Sequence, residues 1–126
     1  MSSKGDVSTN RLSSRVKQNE DPTTKALKIK INSLKRNLKD LEFSKKEVVQ
    51  ETNRLEKFRL SDSDKVKQQE NVVAEAQMMI SHSENRVRAA AKELRDFLSG
   101  VDCESLDAEL VQDSGKTLEA ADSALQ

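Results

Sequence analysis

Few residues in this chain have reactive chemistry to offer. There is one histidine, His82, one cysteine, Cys103, and a large set of carboxylates spread along the sequence. His82 lies between Ser81 and Ser83 with Glu84 next, an apparent nucleophile, base and acid side by side. Adjacent helical residues point about 100° apart, however, so sequence neighbours do not converge on one reacting atom. Catalysis by Ser or Cys needs a base and an orienting group brought together in a protected site. One Cys with one His falls short of the roughly four N or S ligands of a structural zinc site. No glycine-rich phosphate loop is present. The carboxylates read as solvated helix faces. These residues point to no enzyme, no metal and no cofactor.

The side chains suited to recognition are Met78 and Met79, next to Ile80. Three consecutive residues of a helix cannot all point inward, so at least one methionine is exposed or half covered. Their flexible thioethers would form an adaptable contact surface for a partner, or would pack on another helix of the same domain. Both readings stand at this point.

The element carrying these methionines is the stretch Ser61–Gly100. Val66, Gln69, Val73, Ala76, Ile80, Ser83, Val87, Ala90, Leu94 and Phe97 recur in alternating steps of three and four. That spacing places them on one narrow stripe of a long helix, with Gly100 just beyond it as a left-handed cap. A narrow stripe on a polar rod needs a partner helix. Residues 22–59 supply one through Leu27, Ile31, Leu34, Leu38, Leu41, Val48 and Leu55, with Lys45 and Thr52 at the intervening positions. Asp21-Pro22 marks its start, where proline at the first helical position loses nothing by lacking an N–H. Ile29, Phe43 and Val49 lie off the stripe and broaden it, as contact with a second partner would require.

Ser61-Asp62-Ser63-Asp64 is a turn with cap residues for the second helix, so the two long helices form an antiparallel hairpin. Beyond Gly100, Cys103, Leu106, Leu110, Leu118, Ala121 and Leu125 would line a shorter acidic helix, with Gly115 in its interior. That helix is expected to fold back on the basic first helix near Lys28, Lys35 and Arg36. The fold expected is all-α: an elongated antiparallel three-helix bundle with two long coiled-coil-like helices and a shorter acidic third helix. Its helices span about 22–59, 62–99 and 102–124 within a bundle over residues 22–126. Residues 1–21 read as a flexible N-terminal leader, too poor in apolar side chains to offset the entropy of ordering.

Composition agrees. Charged residues make up 35% of the 126, with three Phe and neither Trp nor Tyr, a balance suited to a thin helical core and unsuited to a deep cleft. The net charge of zero conceals an asymmetry: residues 1–60 carry fifteen Lys or Arg and eight Asp or Glu, and residues 61–126 carry seven and fourteen. No separate basic domain argues for nucleic acid, and no stretch is apolar enough to cross a membrane. A lone cysteine argues against a disulfide-stapled secreted scaffold, so a cytoplasmic protein is expected.

Lys67-Gln68-Gln69-Glu70-Asn71-Val72-Val73, then Glu75, then Met78-Met79-Ile80 carry a more specific signal than heptads alone. With Leu27-Lys28-Ile29-Lys30, Lys35-Arg36 and Lys46-Glu47-Val48 upstream, the chain resembles the tubulin-folding cofactor A family over about residues 25–98. The resemblance implies an elongated, monomeric, cytoplasmic three-helix chaperone that needs no cofactor. It implies binding to free β-tubulin during folding and αβ-heterodimer assembly, with exchange to other tubulin-folding cofactors and association with the microtubule cytoskeleton. It marks Lys35, Arg36, Lys67, Gln68, Glu70, Asn71, Glu75, Met78 and Met79 as partner-binding residues. Gln69 lies in the seam instead, as a packing and register device.

Two departures accompany the resemblance. The family usually has proline after Met-Met-Ile, where this chain has Ser81, and Asp-Cys after that, where this chain has His82-Ser83. Without proline the second helix loses an expected kink. Taken without the resemblance, the heptads also fit a generic coiled-coil scaffold or assembly protein that oligomerises through its seam.

Overall fold

A computed structural model describes residues 20–126, so the leader expected over residues 1–21 lies, up to residue 19, outside the described residues. Among the described residues there are three α-helices: α1 (Pro22–Ser61), α2 (Val66–Ser99) and α3 (Ala108–Ala124). They make an elongated antiparallel bundle. At 1.5 Å per residue the three are about 60, 51 and 26 Å long, so α3 reaches along only part of the hairpin.

Neither glycine nor proline occurs between residues 23 and 99, which removes the main helix breakers from both long helices. Pro22 occupies the first position of α1, as expected. Asp21 does not cap through its carboxylate; its main-chain carbonyl accepts from the Lys25 N–H at 3.0 Å, and Thr24 Oγ1 donates to Asp21 Oδ2 at 3.5 Å. α2 runs unbroken through Ser81, where the backbone N–H that proline would lack is available to the helix.

Both reversals differ from the expected helix limits. Asp62 adopts an extended backbone (φ −155°, ψ 74°), and Ser63–Lys65 form a single 3-10 turn, so α2 begins at Val66 and not at residue 62. α2 ends without a left-handed cap. Gly100 has φ −96° and ψ 1°, and its N–H donates to the Phe97 carbonyl at 3.1 Å, a tightened last turn.

The third helix starts at Ala108 instead of residue 102, because two aspartates cap in succession. Asp102 Oδ1 accepts from the Glu104 N–H at 3.1 Å and opens the 3-10 turn Cys103–Ser105. Leu106 then extends (φ −95°, ψ 162°) and buries its side chain, and Asp107 Oδ1 accepts from the Glu109 N–H at 2.9 Å to cap α3. Extended backbone at Leu106 interrupts the helix so that this leucine can enter the core.

That core sits where all three helices overlap. Leu27, Ile31, Leu34 and Leu41 of α1 meet Val87, Ala90, Ala91 and Leu94 of α2, closed by Leu106 and by Ala121 of α3. Each fully buried leucine contributes about 1.5–3 kcal/mol of transfer free energy. Toward the turn the hairpin is two helices thick, and burial thins to Leu55, Ala76 and the amide of Gln69.

The α2 stripe falls where its spacing predicts. On α1 one position differs: Ser44 is buried and Lys45 is exposed. The seam steps inward by three residues after Leu41, not four, so Ser44 faces Ser83 with the hydroxyl oxygens 3.2 Å apart. Lys45, displaced to the side of α3, donates from Nζ to the Ala124 carbonyl at 3.1 Å, a cation at the negative end of a helix. On α3, Ser114 and Thr117 take inner positions beside Ala121, and Leu110 and Leu118 are half-buried. Their hydroxyls return to their own helix, Ser114 Oγ donating to the Val111 carbonyl at 2.6 Å and Thr117 Oγ1 to that of Asp113 at 2.7 Å.

Candidate functional site

The hairpin has two long grooves, one on each side of the α1–α2 seam, and α3 fills part of one. It is held there by opposite charge: Lys35 Nζ reaches Asp113 Oδ2 at 2.9 Å, and Arg95 Nη2 reaches Asp122 Oδ1 at 2.6 Å. The remaining expected pairs differ. Lys28 pairs with Glu20, and Arg36 makes no ion pair among the described residues.

Heptad spacing locates what lies away from α3. Residues seven apart return to the same side of a supercoiled helix. Ile29, Arg36 and Phe43 are so spaced on α1 and share one exposed face of that helix. On α2, Gln68, Glu75 and His82 form one row, Asn71 and Met78 a second, and Val72 and Met79 a third, nearest the seam. Ile29 and Phe43 are each 65% exposed, Met78 60% and Met79 45%. Scattered exposed apolar side chains are ordinary, and Val49 and Leu60 are exposed as well; of these residues Met78 and Met79 share a groove.

On the side away from α3 lies a shallow groove of about 390 Å³ where Glu47 and Glu51 of α1 face Val72, Glu75, Ala76, Met78, Met79 and His82 of α2. Its floor is apolar and its walls carry carboxylates. Glu51 is engaged: its Oε1 accepts from Gln69 Nε2 at 2.7 Å and from Arg54 Nη1 at 3.2 Å. Gln69 Nε2 also reaches the Glu51 carbonyl at 2.9 Å, so the buried amide links α2 to α1. Glu47 and Glu75 have no ion-pair partner within 4 Å among the described residues.

The nine residues expected at a partner surface therefore separate. Glu75, Met78 and Met79 line this groove together. Gln68 lines its continuation toward the turn, with Arg54, Phe58, Lys65, Gln69 and Val72. Asn71 and Lys67 are exposed, and Glu70 pairs with Arg59 at 3.5 Å. Arg36 lies nearer the other end of the hairpin, lining a second depression with Ile29, Asn32, Ser33 and Asn37. Lys35, one residue away, points to α3. Glu47 and Val72 lie within the family signature but outside the expected partner-binding residues, and His82 lies outside both; the cross-seam pairing of Ser44 with Ser83 is the signal that brings Glu47 opposite His82.

This arrangement suits noncovalent recognition. His82 is exposed mid-helix, and about 26 Å of α2 separates it from the helix end beyond which Cys103 lies. Among the described residues no group of three or more His, Cys, Asp or Glu is placed to hold a metal ion. No described helix is long and apolar enough to cross a membrane.

Comparison with known proteins gives one consistent answer. Residues 22–118 match the sequence model of the family described as Tubulin binding cofactor A. The chain is 36% identical over 80 residues to tubulin-specific chaperone A of Oryctolagus cuniculus, covering 62% of this chain and 74% of that protein. It is 35% identical over 80 residues to the Homo sapiens protein of the same name, with the same coverage. Among solved structures, tubulin-binding cofactor A from Leishmania major superposes with a TM-score of 0.75 at 43% identity, covering 85% of this chain and 100% of that one. Tubulin folding cofactor A from Arabidopsis thaliana gives 0.73 at 31% identity, covering 80% and 96%.

Proposed function

Because the chain belongs to the tubulin binding cofactor A family, we propose that it is a tubulin-specific chaperone that holds free β-tubulin during folding and αβ-heterodimer assembly. It acts by binding, without catalysis, as a monomer in the cytoplasm, and passes its client to other tubulin-folding cofactors. The observation that carries this reading is the long uncovered side of the hairpin, with Glu75, Met78 and Met79 together in one groove and Gln68 in its continuation. An elongated face of this kind offers a folding intermediate apolar contact through thioethers that adapt in shape, with charged neighbours to set orientation.

The test is size-exclusion chromatography with light scattering on the chain alone, with free β-tubulin, and with intact αβ heterodimer. A monomer that forms a 1:1 complex with free β-tubulin and ignores the heterodimer supports the proposal. A self-associated rod that ignores both forms overturns it and leaves a coiled-coil scaffold.

A further inference from the structure

At mid-hairpin the free groove is acidic where the groove under α3 offers cations, and the molecule itself shows how one of them is filled. α3, an acidic amphipathic helix, lies in a groove whose cations clasp it: Lys35 on Asp113, Arg95 on Asp122, and Lys45 on the Ala124 carbonyl at its C-terminus. The free groove is built from the same two helices, and its middle section has the sign reversed, while Arg54 and Lys65 line its continuation toward the turn. Glu47 and Glu75 stand on facing walls with no cation within 4 Å among the described residues, and Val72, Ala76 and Met79 form the floor. Met78, 60% exposed, stands on the rim.

We infer that this groove takes a basic amphipathic helix of a protein partner, one with Lys or Arg flanking one or two large apolar side chains. Three features select that occupant. A cleft between two packed helices accepts a third helix along its axis, as α3 demonstrates on the other side. Unpaired carboxylates on both walls favour cations and repel an acidic segment such as α3 itself. Adjacent methionines re-pack around apolar side chains of differing shape, which suits a client not yet in its final fold. Assigning the segment to β-tubulin rests on the function proposed above; the chemistry of the groove does not.

The probe is a short Leu/Lys peptide with heptad spacing, titrated into the full chain while the methyl resonances of Met78 and Met79 are followed. A control peptide has Glu in place of every Lys. Binding that shifts both methyls, fails with the Glu peptide and weakens about tenfold in Glu47→Gln/Glu75→Gln at unchanged helicity supports the inference. Shifts confined to α3 or to the Ser61–Asp64 turn overturn it, as do equal binding of both peptides, full affinity in the variant, or occupation of the groove by a second copy of the chain. A parallel titration uses chain already loaded with β-tubulin. Loss of the methyl response there supports the assignment to the client, and its persistence overturns that assignment. Failure to load β-tubulin at all refutes the chaperone reading, while the peptide result still decides the groove.

Discussion

The hydroxyl oxygens of Ser44 and Ser83 lie 3.2 Å apart in the buried seam, joining the middle of α1 to the middle of α2. Arg86 Nη2 also approaches Ser83 Oγ at 3.2 Å, so the pair has an outlet to the surface. A small polar layer between the Leu41 and Leu55 levels allows close helix approach and penalises a slipped register, which would part the two hydroxyls.

Replacing one member should cost more than replacing both. Ser83→Ala leaves the Ser44 hydroxyl buried without its partner, a loss of about 1–2 kcal/mol, whereas Ser44→Ala/Ser83→Ala should lie closer to the original stability. Urea unfolding of the two single variants and the double variant measures the coupling. Additive losses would deny that the two hydroxyls act as a unit.

Lys35 and Arg36 are adjacent in sequence but do different work. Lys35→Glu places a carboxylate against Asp113 and should lower stability by less than about 1 kcal/mol, because both side chains are partly solvated. Asp113→Lys in the same chain should recover that loss. Arg36→Glu should leave the melting temperature unchanged, and any effect on partner binding then belongs to the surface around Ile29.

Gly115 is exposed within α3, and a Cβ built there meets no atom within 4 Å. Gly115→Ala should therefore stabilise by about 1 kcal/mol through backbone entropy and helix propensity. Amide exchange should slow first in α3. Gly100→Ala should also be tolerated, since its φ of −96° is open to any L-residue and the nearest atoms to its Cβ are at 3.7 and 3.8 Å.

Core and surface apolar residues should separate cleanly on α1. Leu34 is fully buried, so Leu34→Ala should cost about 2–5 kcal/mol. Phe43 is 65% exposed, so Phe43→Ala should change stability by no more than about 0.5 kcal/mol. Thermal melts of the two variants, side by side, decide whether the exposed row is spare for recognition or part of the fold.

Much of this molecule is legible in its amino-acid sequence. The α2 stripe, the turn at Ser61–Asp64 and the proline start of α1 are local: periodicity and cap chemistry are written within one helix length. The family signature adds Glu75, Met78 and Met79, which the hairpin does bring to one groove.

The remainder depends on how the helices pack. Whether Ser44 or Lys45 enters the seam depends on the cross-seam partner, Ser83, whereas the alternating spacing within α1 selects Lys45. Asp102 and Asp107 are equally good caps, and the burial of Leu106 determines that α3 starts at the second. Lys35 and Arg36 differ by one residue, yet the side on which α3 docks makes one a structural ion pair and leaves the other on the surface. The sequence alone determined where amphipathic helices form, because a stripe is a property of one chain segment. Tertiary structure decided which groove is filled and which is free, because that depends on charge and shape matched between segments far apart in sequence.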